Sequence, residues 1–189
     1  TNKAAAEMRS RLSAMLPEGS RGMWVGTFHG IAHRLLRLHW QEAGLPEAFQ
    51  VLDSDDQLRL VKRVVQDLQL DETRFPPKQL VWWINHHKDA GRRASSIQVA
   101  MGDQFTRVQV QVYEEYEVRC QRSGLVDFAE ILLRAHETLL KQPALLSHYQ
   151  QRFSEILVDE FQDTNNVQFA FIRLLAGERG CVFVVGDDD

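Results

Sequence analysis

Residues 156–163 read Ile-Leu-Val-Asp-Glu-Phe-Gln-Asp, three branched apolar residues running straight into the paired carboxylates of Asp159 and Glu160. A short unbroken apolar run of this kind reads as a buried strand of a parallel sheet. The carboxylates then fall at its carboxyl end, where open α/β sheets bind ligands. Residues 181–186, Cys-Val-Phe-Val-Val-Gly, repeat the pattern and end in Asp187, Asp188 and Asp189. Two such strands with acidic ends, joined by a helical stretch, look like part of a nucleotide-hydrolysing sheet. A solvated turn after each strand accounts for the same carboxylates taken one strand at a time.

The elements around these strands are mostly helices. Ala5, Met8, Leu12 and Met15 recur at helical spacing, which predicts a helix over 3–16. Pro17-Glu-Gly-Ser breaks it. A short strand is expected over 23–28, followed by a helix carrying Ile31, Leu35 and Leu38. The junction Thr27-Phe-His-Gly30 suits phosphate contacts, because a helix start offers free N–H groups. An exposed aromatic there could stack on a base. Equally, Phe28 could be core and His29 a capping residue.

From 30 to 153 the chain reads as almost all helix. Ser54-Asp-Asp-Gln57 is a capping-box signature before Leu58, Val61, Val65 and Leu68. Pro76-Pro77 opens a helix bearing Val81, Trp82, Ile84 and Lys88. Neighbouring residues do not share a helix face, so of Trp82 and Trp83 one belongs to the core and one is partly exposed. Residues 88–93, Lys-Asp-Ala-Gly-Arg-Arg, form the densest basic loop, which as a bland feature is a solvated turn. A long helix is expected over 103–122, ended by Gly124. Asp127-Phe-Ala-Glu130 opens another with a reciprocal cap, and Pro143 starts a short one.

Four stretches together carry a resemblance. Residues 159–166 resemble the second helicase motif of superfamily 1 DNA helicases of the UvrD/Rep/PcrA group. Residues 1–8, Thr-Asn-Lys-Ala-Ala-Ala-Glu-Met, look like motif Ia without its leading residues. Gly26-Thr-Phe-His-Gly30 looks like motif Ib, and residues 184–189 look like the start of motif III. The matches fall in family order across the whole chain and are nearest the UvrD branch, with Rep-like or RecB-like helicases as rivals.

The resemblance implies an α/β, mostly helical chain. Residues 1–28 and 154–189 would be an incomplete RecA-like core, and residues 29–153 an all-helical insertion, the 1B subdomain. It implies that Asp159 holds Mg²⁺ and that Glu160 orients and deprotonates the attacking water. Gln162 and Asp163 would sense the γ-phosphate of ATP. Thr1, Asn2, Thr27, Phe28 and His29 would contact single-stranded DNA, and Lys88, Arg92 and Arg93 duplex phosphates at a junction. The implied activity is ATP-dependent unwinding with 3′ to 5′ movement, in nucleotide excision and mismatch repair, with repair proteins as partners.

Composition sets the bounds. The 189 residues are 44% hydrophobic and 25% charged, with no membrane-length apolar run and no signal peptide, so a cytoplasmic protein is expected. Cys120 and Cys181 form no metal-ligand spacing and read as packing residues. The net charge is −4, with sixteen Lys/Arg against sixteen Asp/Glu between residues 29 and 152, so any DNA contact there must be local. No Gly-x-x-x-x-Gly-Lys-Ser/Thr phosphate loop occurs. The expectation is therefore an internal piece of a longer enzyme that hydrolyses no ATP alone. In isolation it could act only as a DNA- or protein-binding module.

Overall fold

The computed structural model describes residues 2–16, 22–178 and 180–186. Thr1, the break at 17–20 and the three aspartates 187–189 lie outside the described residues. Eight helices and two small parallel sheets are described: α1 (Asn2–Met15), α2 (Phe28–Leu38), β1 (Gln50–Val51), α3 (Ser54–Asp67), α4 (Pro77–Asp89), α5 (Gln104–Ser123), β2 (Leu125–Val126), α6 (Phe128–Lys141), α7 (Pro143–Arg152), β3 (Glu155–Val158), α8 (Asn166–Ala176) and β4 (Cys181–Val184). None of these helices is long and apolar enough to cross a membrane.

Helix starts and stops follow local chemistry. Asp53, Asp103 and Asp127 each accept the backbone N–H three residues on, the usual duty of an N-cap. Ser54 is thus not the cap of α3. The helix begins one residue earlier than the expected box, and Gln57 pairs with Asn85 instead. Gly124 closes α5 at φ 63°, and a Cβ there would drive into the Pro46 ring, so glycine is required twice over.

Two apolar cores result. The first gathers Ala32, Leu35 and Leu36 of α2, Ile131, Leu132, Ala135 and Leu139 of α6, Tyr149 of α7, and Val167, Phe171 and Leu175 of α8. The second lies wholly between Leu52 and Leu125. It is built on Val61 and Val65 of α3, Leu80 and Ile84 of α4, and Val112, Tyr113 and Tyr116 of α5. The two-residue pair β1–β2 joins them, Gln50 opposite Leu125 and Val51 opposite Val126. Packing in the first core therefore runs across residue 154, where the sequence places a boundary.

Two strand expectations change. Residues 23–28 form no strand. Trp24 is instead held edge-on by Tyr149 and Phe153, with Arg34 above its ring, so aromatic packing replaces a ladder. The acidic-ended strands do pair in parallel, Glu155 with Cys181 through Val158 with Val184. They are not buried: only Val158 is enclosed, while Leu157 is 76% exposed and Phe183 53%. Cys181 is exposed as well. Cys120 is buried, which pushes its thiol pKa up to about 12.

Candidate functional site

β3 ends at Val158, and the chain then turns sharply. Glu160 takes the left-handed conformation at φ 52° and ψ 46°, a region that disfavours side chains with a Cβ and tends to mark functional turns. Residues two apart on a strand share a face and adjacent ones do not, so this turn is what frees Asp159 and Glu160 from pointing to opposite sides. Asp159 Oδ1 accepts the Glu160 N–H at 3.1 Å, and Gln162 Nε2 donates to Glu160 Oε2 at 2.6 Å. The Phe161 N–H donates to the Val185 carbonyl at 3.0 Å, tying the turn to the end of β4. A Cβ on Gly186 would overlap the Gln162 amide.

Asp159, Glu160, Gln162 and Asp163 are all exposed at this one corner. Glu160 can accept a proton from water, with Gln162 orienting its carboxylate. Mg²⁺ takes few protein ligands and completes its octahedron with water and phosphate oxygens. The exposed carboxylate of Asp159 suits that donor set. The corner is anchored from below by Asn165, which shares a capping box with Gln168 and donates to Asp89 at the end of α4.

A second group gathers at the start of α2. Thr27 caps it, accepting the Gly30 N–H at 3.1 Å, and its hydroxyl lies 3.4 Å from Asn2 Oδ1. Thr27 and Asn2 are thus together; Thr1 is outside the described residues. Phe28 is half-buried against the first core and is not the exposed aromatic expected at this junction. His29 does not cap. Its ring stacks on Phe128 with centroids 3.8 Å apart and planes 16° apart, and burial lowers its pKa. Phe128 is 60% exposed. Sequence reasoning passes over it because it falls in phase with Ile131 and Ala135. Only packing shows that Phe128 stays outside the core while Ala129, Glu130 and Ile131 beside it are buried.

The basic stretch is corrected more sharply. Lys88 is not a free phosphate contact. It lies within the last turn of α4, 2% exposed, with its ammonium 2.5 Å from Asp127 and 2.9 Å from Glu130. Burial works to lower its pKa, and the two carboxylates override that and hold it above the ordinary lysine value. Arg93 is engaged too, forked between Glu130 and Glu137 and reaching Glu117. Arg134 joins Glu130 from the same helix, and Tyr116 donates to Asp127 at 2.7 Å. Glu130 therefore spends its side chain on cations and does not complete a reciprocal cap. Of the three basic residues, Arg92 alone is exposed, and it stays available to a phosphate.

The comparisons with known proteins agree on one family. The description "UvrD/REP helicase N-terminal domain" matches residues 1–189. DNA helicase II of Escherichia coli is 57% identical over the whole chain, which covers 26% of that relative. The ATP-dependent DNA helicase PcrA of Leuconostoc citreum is 37% identical over the whole chain, covering 25% of it, and that of Bacillus subtilis 31%, covering 26%. The chain spans about a quarter of the length of the curated relatives it matches.

Proposed function

Because the chain belongs to the UvrD/REP helicase N-terminal domain family, we propose that it is the part of an ATP-dependent DNA helicase that carries the water-activating corner and one wall of the single-strand path. In this reading residues 1–28 and 154–189 contribute to a RecA-like core, and residues 29–153 are the helical 1B insertion. The parent enzyme moves 3′ to 5′ on single-stranded DNA, opens single-strand/duplex junctions and serves excision and mismatch repair in the cytoplasm with other repair proteins. The chain alone, lacking a phosphate loop, hydrolyses no ATP.

The observation that carries this reading is the left-handed turn at Glu160, with Gln162 hydrogen-bonded to its carboxylate at the carboxyl end of a parallel strand. Bound Mg²⁺ would offset phosphate charge, with Asp159 holding it. Glu160 positions and deprotonates a water, and Gln162 sets which carboxylate oxygen faces it. Gln162 and Asp163, on one 3₁₀ turn, would sense the γ-phosphate. Asn2, Thr27, His29 and Arg92 supply DNA contacts.

Glu160→Gln removes the base and keeps the shape. In a longer protein that joins this chain to a phosphate loop, it is expected to cut ATP turnover by about 10²-fold or more while nucleotide affinity holds. Turnover close to the parent's in a steady-state assay would remove Glu160 from that role.

A further inference from the structure

The turn at Glu160 is held from outside as well as from within. We propose that Asp89, the last residue of α4, is a positioning residue for the water-activating corner. Through Asn165 it ties the helices of the second core to the turn that aims Glu160 and Gln162. The inference rests on the helicase reading above and extends it to a residue outside the helicase motifs named there.

Three observations carry it. The first is where Asp89 stands. A carboxylate on the last turn of a helix faces the negative end of the helix dipole, and Asp89 is half-buried as well. Burial pushes its pKa up. Both effects oppose a charge here, so α4 taken alone gives no reason for one. The second is its partner. Asn165 Nδ2 donates to Asp89 Oδ1 at 3.1 Å across 76 residues of chain. The Asn165 amide is thereby committed at both ends, because its Oδ1 accepts the Gln168 N–H at 2.9 Å. The third is that both sides of this bond are fixed. Leu80 and Ile84 seat α4 in the second core, and Lys88, next to Asp89, is buried between Asp127 and Glu130. On the other side the turn is closed without slack. The Asp163 N–H donates to the Glu160 carbonyl at 3.0 Å, and Thr164 gives both its N–H and its hydroxyl to the Phe161 carbonyl. A shift of Asn165 therefore reaches Gln162 and Glu160 instead of being absorbed between them. A general base depends on a mount held to a fraction of an ångström. β4 supplies one hold through the Val185 carbonyl, and Asp89 supplies the other from α4.

The test has two arms. Hydrogen exchange on the whole 189-residue chain needs no activity. Asp89→Ala is expected to speed exchange at the Phe161, Asp163 and Thr164 amides by about tenfold and to leave α2 and α6 unchanged. Corner amides within about twofold of the parent chain, or equal acceleration in every helix, overturn the proposal. The second arm is steady-state ATP turnover in the longer protein that joins this chain to a phosphate loop. There Asp89→Ala is expected to lower kcat by about tenfold with the KM for ATP held within about twofold. Asp89→Asn keeps an oxygen for Asn165 and is expected to retain turnover. Asn165→Asp keeps the cap but sets two carboxylates face to face, and turnover is expected to fall. Combining it with Asp89→Asn lets amide and carboxylate trade places, and turnover is expected to return. A raised KM with kcat held, or a combined variant no better than Asn165→Asp, overturns the positioning role and leaves the helicase reading standing. If the longer parent protein turns over no ATP, the helicase reading falls and the role of Asp89 in turnover falls with it.

Discussion

Lys88 keeps its charge inside the protein because two carboxylates stand where water would. Taking an ammonium out of water costs several kcal/mol, and only close, well-aligned partners offset it. Asp127 and Glu130 do so, and Arg93 and Arg134 then balance Glu130 from the other side. Removing one partner strands the rest, so Lys88→Met is expected to lower stability by about 3–5 kcal/mol, read as a lower urea midpoint. The pH dependence has a definite sign. Burial would raise the Glu130 pKa, yet Lys88, Arg93 and Arg134 hold it below the usual carboxylate range. Its stabilisation is therefore full above the unfolded pKa of about 4.3 and drains away as pH falls from there toward the depressed folded value. Glu130→Gln should be weaker at neutral pH and show a shallower acid decline; an unchanged acid limb would exclude Glu130 as its source. None of this could be read in residues 88–93, whose charge density looks solvated. The partner Asp127 lies 39 residues further on, and local charge carries no information about a contact of that span.

Among the elements, α4 shows where periodicity suffices and where it stops. Adjacent tryptophans cannot share a helix face, and they do not. Trp83 packs into the second core against His87 and Tyr113, while Trp82 is 66% exposed, resting on His86. Trp83→Ala is expected to cost about 3 kcal/mol and Trp82→Ala less than about 0.5 kcal/mol, both measurable by thermal unfolding. The helices, their proline starts and the Gly124 stop were legible because each depends on a few neighbouring residues. The strand expected at 23–28 was not formed, and Trp24 packs instead on the rings of Tyr149 and Phe153, far along the chain at the end of α7. The corner at Asp159 and Glu160 was legible in its residue types and order. Its left-handed backbone was not, since nothing local to Glu160 demands that conformation.

At the level of the whole molecule, helical spacing identifies faces but not which faces meet. The sequence suggests a divide near residue 154, and α8 crosses it by burying Val167, Phe171 and Leu175 with Leu35 and Leu139. The division that packing draws is a different one. It falls at β1 and β2, where residues 50–51 lie beside 125–126 and the second core is enclosed between them.

That pairing has a consequence for motion. Paired strands sit about 5 Å apart, so α3, α4 and α5 leave and re-enter the fold through a single narrow neck. A segment with its own core and adjacent ends can open as one cooperative unit while the remainder stays closed. Native-state hydrogen exchange should then sort the slow amides into two classes, one shared by α3 and α5 and one by α2 and α6, each with its own opening free energy. Lys88→Met, which removes the buried ion pairs from α4 to Asp127 and Glu130 and leaves those of Arg93, should speed exchange in the first class more than in the second. A single common opening for all four helices would mean that the neck transmits stability rather than dividing it.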